Sequence, residues 1–353
     1  MPSKKSRWRK VLFRVLALTL GLLAALIVCE LVLRIYLLSR GWTSNAYVPS
    51  IQLLVPDETN GYHLAKNYRL KSGAFEITTN QFGLRGPEIE SAKPAGTKRI
   101  AVIGGSSAFG YLVNDDQVAS RLLENNLREQ GFDVEVLCGA VPGYNLYQTT
   151  ARFKRDIAPL QPDIVLLYAG WNDLTYLTSD QPTAERYRIL ACPNSCQRFL
   201  SHSVFYGFVF YRMLGSPVFA PPAEKQLHLT EAGKQQYRAN LAELAQQVHS
   251  ANARLVICSQ LTAAHPDADS RAQQYVGTDA EHIRQTTEMM SWVRDTLQEF
   301  AANNDSPFID AYNDLPATPE NLGDAIHLTA PGEQAIANLW TARLENLLPE
   351  QGQ

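Results

Sequence analysis

Ile100-Ala101-Val102-Ile103-Gly104-Gly105-Ser106-Ser107-Ala108-Phe109-Gly110 is the stretch on which the reading of the fold turns. A charge-free, β-branched run stops abruptly at two glycines, two serines and a further glycine. Such a run suits a strand buried on both faces of a parallel sheet. The glycines permit a tight turn and a close approach to the backbone. The serine that follows would stand at the carboxyl end of the strand, where open α/β sheets place their ligands. On its own the stretch reads equally well as a nucleophile turn or as a corner with incidental serines.

Working outward from it, the chain alternates strands and helices from Arg99 onward. The predicted strands are Arg99–Gly104, Val134–Cys138, Ile164–Tyr168, Leu255–Ser259 and Phe308–Asp310. Between and after them lie helical stripes. These are Val118, Leu122, Leu123 and Leu127; Tyr237, Leu241, Leu244 and Val248; Ile283, Met290, Val293, Leu297 and Phe300; and Ile336, Trp340, Leu344 and Leu347. Apolar stripes at this spacing face a core, and they carry no chemistry in this reading. The alternation predicts an α/β fold, a parallel sheet with helices on both faces. It is interrupted once, by a long insertion at about 174–230 whose Phe199 to Leu214 stretch is aromatic-rich and predicted helical.

Upstream the chain changes character twice. Lys4, Lys5, Arg7, Arg9, Lys10 and Arg14 precede an apolar run that is charge-free from Val15 to Cys29 and continues past Glu30 and Arg34 to Leu38. A membrane-spanning helix needs about 20 mostly apolar residues. The run reaches that length if Arg14, Glu30 and Arg34 snorkel or pair, and Glu30 and Arg34 stand at pairing distance along a helix. Trp42 falls where an interfacial aromatic belongs. The basic flank predicts a cytoplasmic N-terminus with the remainder outside the cytoplasm. A cleaved signal peptide is the alternative, but no good small-residue cleavage site follows the apolar run. Residues 1–42 are therefore expected to form a basic tail and transmembrane anchor. Residues 43–98 are expected to form a small β extension with strands around Tyr62-His63-Leu64 and Phe75 to Thr79, ending in a linker, and residues 99–349 the main domain.

Composition removes several classes. Hydrophobic residues make up 45% of the 353, and the formal net charge is −3, which gives no electrostatic case for a nucleic-acid partner. Five cysteines do not make a disulfide scaffold, and no ligand-spaced cluster suggests a metal. Gly104-Gly105 lacks the Lys of a phosphate-binding loop. Cys192 and Cys196, separated by Pro193-Asn194-Ser195, are candidates for a local disulfide in an oxidising compartment.

Four stretches would meet at the carboxyl edge of the sheet. They are Gly104-Gly105-Ser106-Ser107, Gly139 to Asn145, Gly170-Trp171-Asn172-Asp173, and Gly323 to Thr329. Together they can support acyl transfer. A serine hydroxyl needs a base to become a nucleophile, and His327 is the candidate base. Asp324, three residues earlier, could fix the imidazole tautomer. The backbone N–H groups of Ser106 and Gly143 and the side-chain amide of Asn172 are the candidate oxyanion donors. Thr329 and Pro331 behind His327 suit the start of a helix. The other histidines (63, 202, 228, 249, 265 and 282) have no such company.

These blocks resemble those of the SGNH (GDSL) hydrolase superfamily over roughly residues 98–349. Gly104-Gly105-Ser106 is similar to its Ser block, Gly143 to its Gly block, Gly170-x-Asn172-Asp173 to its Asn block, and Asp324-x-x-His327 to its His block. The usual Gly-Asp-Ser reads Gly-Gly-Ser here. The resemblance implies a three-layer α/β/α sandwich with a flavodoxin-like sheet, a catalytic trio of Ser106, His327 and Asp324, a covalent acyl-serine intermediate and no cofactor. With the anchor, it leads to the expectation of a membrane-anchored serine esterase acting on an acylated small molecule or glycan. An O-acyltransferase with the same trio and a non-catalytic glycan-binding scaffold are the alternatives.

Overall fold

A computed structural model describes residues 4–183, 193–215 and 228–348. The chain divides into two compact units. One comprises Met1–Leu53, Leu70–Gly73 and Pro193–Val218, and the other Leu54–Arg69, Ala74–Cys192 and Phe219–Gln353. This partition differs from the expected boundaries at 42 and 98: part of the insertion belongs with the N-terminal helix, and most of the β extension with the main domain. Cys192 lies outside the described residues.

The larger unit is built on five parallel strands: β5 (Lys98–Gly104), β6 (Val134–Cys138), β7 (Ile164–Tyr168), β8 (Arg254–Cys258) and β9 (Phe308–Ile309), in the order β6-β5-β7-β8-β9. In register, Ile100 stands between Val136 and Ile164. The preceding short strands are β1 (Leu54–Asp57), β2 (Gly61–Leu64), β3 (Arg69–Lys71) and β4 (Glu76–Thr78), with β1 and β2 paired antiparallel.

β5 and β7 are buried almost along their whole length, because both sheet faces are covered. Ala101, Ile103, Val165, Leu167, Leu255 and Ile257 pack with Leu241, Leu244 and Val248 and with Val293 and Leu297. These come from the helices Glu231–Ser250 and Ala280–Asn303. The alternate residues of the strands point the other way. There the Trp340 indole donates to Cys258 Sγ at 3.3 Å and its ring meets Tyr168 edge-on, on the helix Ala330–Leu344. The fold is the expected α/β sandwich with helices on both faces. After β5 the chain goes to one side of it (β6), then crosses to the other (β7). The carboxyl end of β5 is thus the topological switch point, and Ser106 stands there.

The smaller unit is organised around the helix Lys4–Ser39. Trp8–Ser39 is long and apolar enough to cross a membrane, with a mean hydropathy of 2.6 in its most apolar window. Leu37, Val48, Ile51, Leu53 and Val204 are buried in this unit.

Candidate active site

Gly104 makes the serine turn possible. Its φ of +150° and the 2.0 Å that would separate a Cβ from the Tyr168 carbonyl oxygen leave room only for glycine. The chain then enters a short helix, Ser106–Phe109, whose first residue is the nucleophile candidate. Ser106 Oγ lies 2.7 Å from His327 Nε2, and His327 Nδ1 lies 2.6 Å from Asp324 Oδ2. The other Asp324 oxygen accepts the backbone N–H groups of Ile326 (2.9 Å) and His327 (2.8 Å). Burial alone would raise this carboxyl's pKa, but the His327 side chain and those two N–H groups outweigh it and hold the pKa below the usual aspartate value. Directly behind His327, Thr329 caps the last helix by accepting the Gly332 N–H, with Pro331 in the first turn.

Ser107 is engaged elsewhere. Its hydroxyl donates to the Ile326 carbonyl at 2.8 Å and accepts from Gln260 Nε2 at 2.8 Å. Gln260 Oε1 in turn accepts the Trp171 N–H at 2.9 Å. Ser107 and Gln260 therefore tie the serine turn, the histidine loop and the Asn172 turn into one buried network. Gln260, just beyond the fourth strand of the parallel sheet, belongs to none of the four stretches singled out in the sequence.

Asn172 and Gly143 meet through Tyr144. The Asn172 amide donates to the Tyr144 carbonyl at 2.9 Å, and Gly143, one residue earlier, has a φ of +79°. The amide also fills the space beside Gly105, where a Cβ would come within 2.6 Å of Asn172 Nδ2. The departure from Gly-Asp-Ser thus has a local counterpart: a side chain at the position before Ser106 would run into the Asn172 amide. Asp173, fully buried, accepts the Leu146 N–H (2.8 Å) and the Tyr176 hydroxyl (2.7 Å), joining the asparagine turn to the helix Leu146–Arg152 after the glycine loop. Burial pushes its carboxyl up to about 7.

The β extension contributes more to the site than its sequence suggests. Arg85 is buried and donates to the carbonyls of Phe109 (2.8 Å), Gly110 and Val113 (2.7 Å), and to Asp115 (2.8 Å). Its guanidinium also lies 4.8 Å from the centre of the Phe109 ring. It clamps the end of the Ser106–Phe109 helix. Tyr62 on β2 donates to the Pro142 carbonyl at 2.9 Å, and the Tyr144 hydroxyl donates back to the Tyr62 carbonyl. Beside the imidazole, the Tyr111 ring lies 5.2 Å from that of His327, with Phe75 beyond it at 6.3 Å from Tyr111.

A parallel α/β sandwich with this serine–histidine–aspartate relay at its switch point defines an SGNH-type hydrolase acting on ester bonds. The chain belongs to the GDSL-like lipase/acylhydrolase family, whose model matches residues 102–335. Among solved structures it is similar to a GDSL-like lipase from Bacteroides thetaiotaomicron (16% identity, 71% of this chain and 89% of that one, TM-score 0.41). It is also similar to a lipase/acylhydrolase from Enterococcus faecalis (17%, 72% and 100%, 0.44). A third is a catalytic mutant of an acetylxylan esterase from Geobacillus stearothermophilus (13%, 70% and 94%, 0.42). No curated protein sequence matches the chain.

Proposed function

We propose that the protein is a membrane-anchored serine esterase that removes O-acetyl or other short acyl groups, with an envelope glycan as substrate. The observation that carries the reading is the continuous relay from Ser106 Oγ through His327 to Asp324, at 2.7 and 2.6 Å. In this mechanism Ser106 Oγ attacks the ester carbonyl while His327 Nε2 takes its proton. The carbonyl oxygen, now anionic, is held by the N–H groups of Ser106 and Gly143 and by the Asn172 amide. His327 returns the proton to the leaving alcohol oxygen as the ester C–O bond breaks, leaving an acyl-serine. Water, deprotonated by His327, then releases the carboxylic acid and regenerates Ser106. Asp324 stabilises the imidazolium in both halves. No cofactor enters.

The leaving alcohol must depart beside His327, where the Tyr111 ring lies. An aromatic face at that position supports a sugar as the leaving group. The apolar N-terminal helix and its basic flank support a single-pass anchor, with the N-terminus in the cytoplasm and the catalytic domain outside it.

The test is an assay of the full-length, detergent-solubilised protein against acyl esters of increasing chain length and against acetylated glycans. Water-dependent release of acid from short esters and glycans is the expected result. Acyl transfer to an added sugar would replace the esterase reading with a transferase, and binding without turnover would replace it with a scaffold. Reporter activity in the cytoplasm from a fusion after Gln353 would refute the topology.

A further inference from the structure

Glu30 and Arg34 interrupt the apolar run of the N-terminal helix, and the structure gives both a purpose. One Glu30 oxygen accepts Arg34 Nε (2.7 Å) and the Val204 N–H (3.1 Å); the other accepts the Ser203 hydroxyl (2.8 Å) and the Phe205 N–H (2.9 Å). Arg34 donates onward to the His202 carbonyl at 2.7 Å. The helical turns of the insertion, Ser195–Leu200, Val204–Gly207 and Phe208–Met213, are thus fastened to the anchor helix by a carboxylate with four donors. Tyr47 against Phe208 (5.5 Å between ring centres) and Gln52 Nε2 on the Ser201 carbonyl (2.9 Å) complete the attachment within the same unit.

A charged side chain on a membrane helix is costly unless it is paired, and it marks protein rather than lipid beside it. The length of the run agrees. Val11 to Leu38 is 28 residues, or about 42 Å at about 1.5 Å per residue, against a hydrocarbon core of about 30 Å. The excess lies at the Glu30 end if the basic N-terminal flank stays at its own interface. The segment fastened there presents large apolar side chains outward: Phe199 is 78% exposed, Met213 and Leu214 66% each, and Phe210 44%. Arg198 and Arg212 lie among them in sequence, as in helices that rest in an anionic interface.

We infer that residues 195–214 form a lipid-docking element that lies in the outer bilayer interface, its Phe199, Phe210, Met213 and Leu214 side chains in lipid and its depth set by Glu30 of the anchor helix. This inference rests on the membrane-anchor reading above. The occupant is the bilayer because the element is hydrogen-bonded to the one helix long and apolar enough to cross a membrane among the described residues. An interfacial element of this kind sinks about 5–10 Å into the headgroup–acyl boundary. It would hold the acyl hydrolase to the membrane by a second point besides the helix.

The test uses the full-length protein in phosphatidylcholine–phosphatidylglycerol vesicles, with Cys29, Cys192 and Cys196 changed to serine. Single cysteines are introduced by Leu20→Cys, Phe210→Cys, Met213→Cys and Gln298→Cys and labelled with an environment-sensitive fluorophore. Vesicles carrying spin-labelled lipid should quench most of the emission at positions 20, 210 and 213 and leave position 298 unquenched. Quenching at 20 without quenching at 210 and 213 overturns the docking element. Absence of quenching at 20 overturns the anchor itself. Glu30→Gln should lower the quenching at 210 and 213 and leave position 20 unchanged; unaltered quenching at 210 and 213 overturns the role given to Glu30.

Discussion

Arg85 lies outside the residues matched by the family model, yet it holds the carbonyls that close the Ser106–Phe109 helix. Arg85→Met keeps most of its volume and removes every donor. Asp115 would keep partners, because Thr78 also donates to it from its backbone N–H (2.8 Å) and hydroxyl (2.6 Å). The loss therefore falls mainly on the buried carbonyls of Phe109 and Val113, because the Gly110 carbonyl also accepts the Val113 N–H at 3.3 Å. Each unsatisfied buried group costs about 1–3 kcal/mol, so the two together should destabilise the unit by on the order of 2–6 kcal/mol. That is a large part of the roughly 5–15 kcal/mol that holds a domain folded. Activity should suffer separately, since the carbonyls terminate the four-residue helix that begins with Ser106. A shift of about 1 Å in a reacting group can cost about 10²-fold, and kcat should fall toward that limit with KM for a small ester little changed. Arg85→Lys, with one ammonium in place of a fork, should recover only part of both losses. The measurements are urea unfolding followed by tryptophan fluorescence and ester hydrolysis well below the unfolding midpoint. An Arg85→Met protein that unfolds at the wild-type midpoint and turns over at the wild-type rate would refute the clamp.

Ser106→Ala and His327→Ala should each cost at least about 10³-fold in turnover, and the double variant little more, because both serve one step; a serine-reactive phosphonate should label Ser106 in the wild type, and labelling of Ser107 instead would sink the assignment. Gly105→Ala is allowed by a φ of −92° but brings a Cβ within 2.6 Å of Asn172 Nδ2. It should lower kcat through the displaced amide. Asn172→Ala should cost about 10²–10³-fold, and adding Gly105→Ala to it should cost little further. Burial raises two fully buried carboxyls, Asp173 to about 7 and Glu333 to about 8, from unfolded values near 4. The folded state then binds more protons than the unfolded one across that window, so stability should fall as pH rises from about 4 to about 8, by on the order of a few kcal/mol. Asp173→Asn should flatten the lower part of that slope, as read from urea midpoints at pH 5 and pH 8; an unchanged slope would contradict the assignment.

What the sequence disclosed and what it hid follow a physical division. Strands buried on both faces leave an unbroken apolar run, so the five strands of the parallel sheet were legible within a residue or so at each end. The relay was legible for a similar reason: Gly104, Ser106, Asp324 and His327 are chemically special residues placed right after strands or right before a helix, and their spacing is local. Contacts that join distant segments through ordinary side chains leave no such trace. Arg85 reaches Phe109 and Val113, and Gln260 reaches Ser107 and Trp171. An arginine in a turn-rich stretch and a glutamine after a strand look like surface residues until the fold closes over them. Tyr62 against Pro142 is a third case. The same holds for Glu30. Its pairing with Arg34 could be read from helical spacing, but its bonds to Ser203, Val204 and Phe205 span more than 170 residues. Those bonds turn an apparent flaw in an apolar helix into the attachment point of the insertion. The site's residues are thus written locally, while the groups that hold them in place, and hold the insertion to the N-terminal helix, are set by long-range packing.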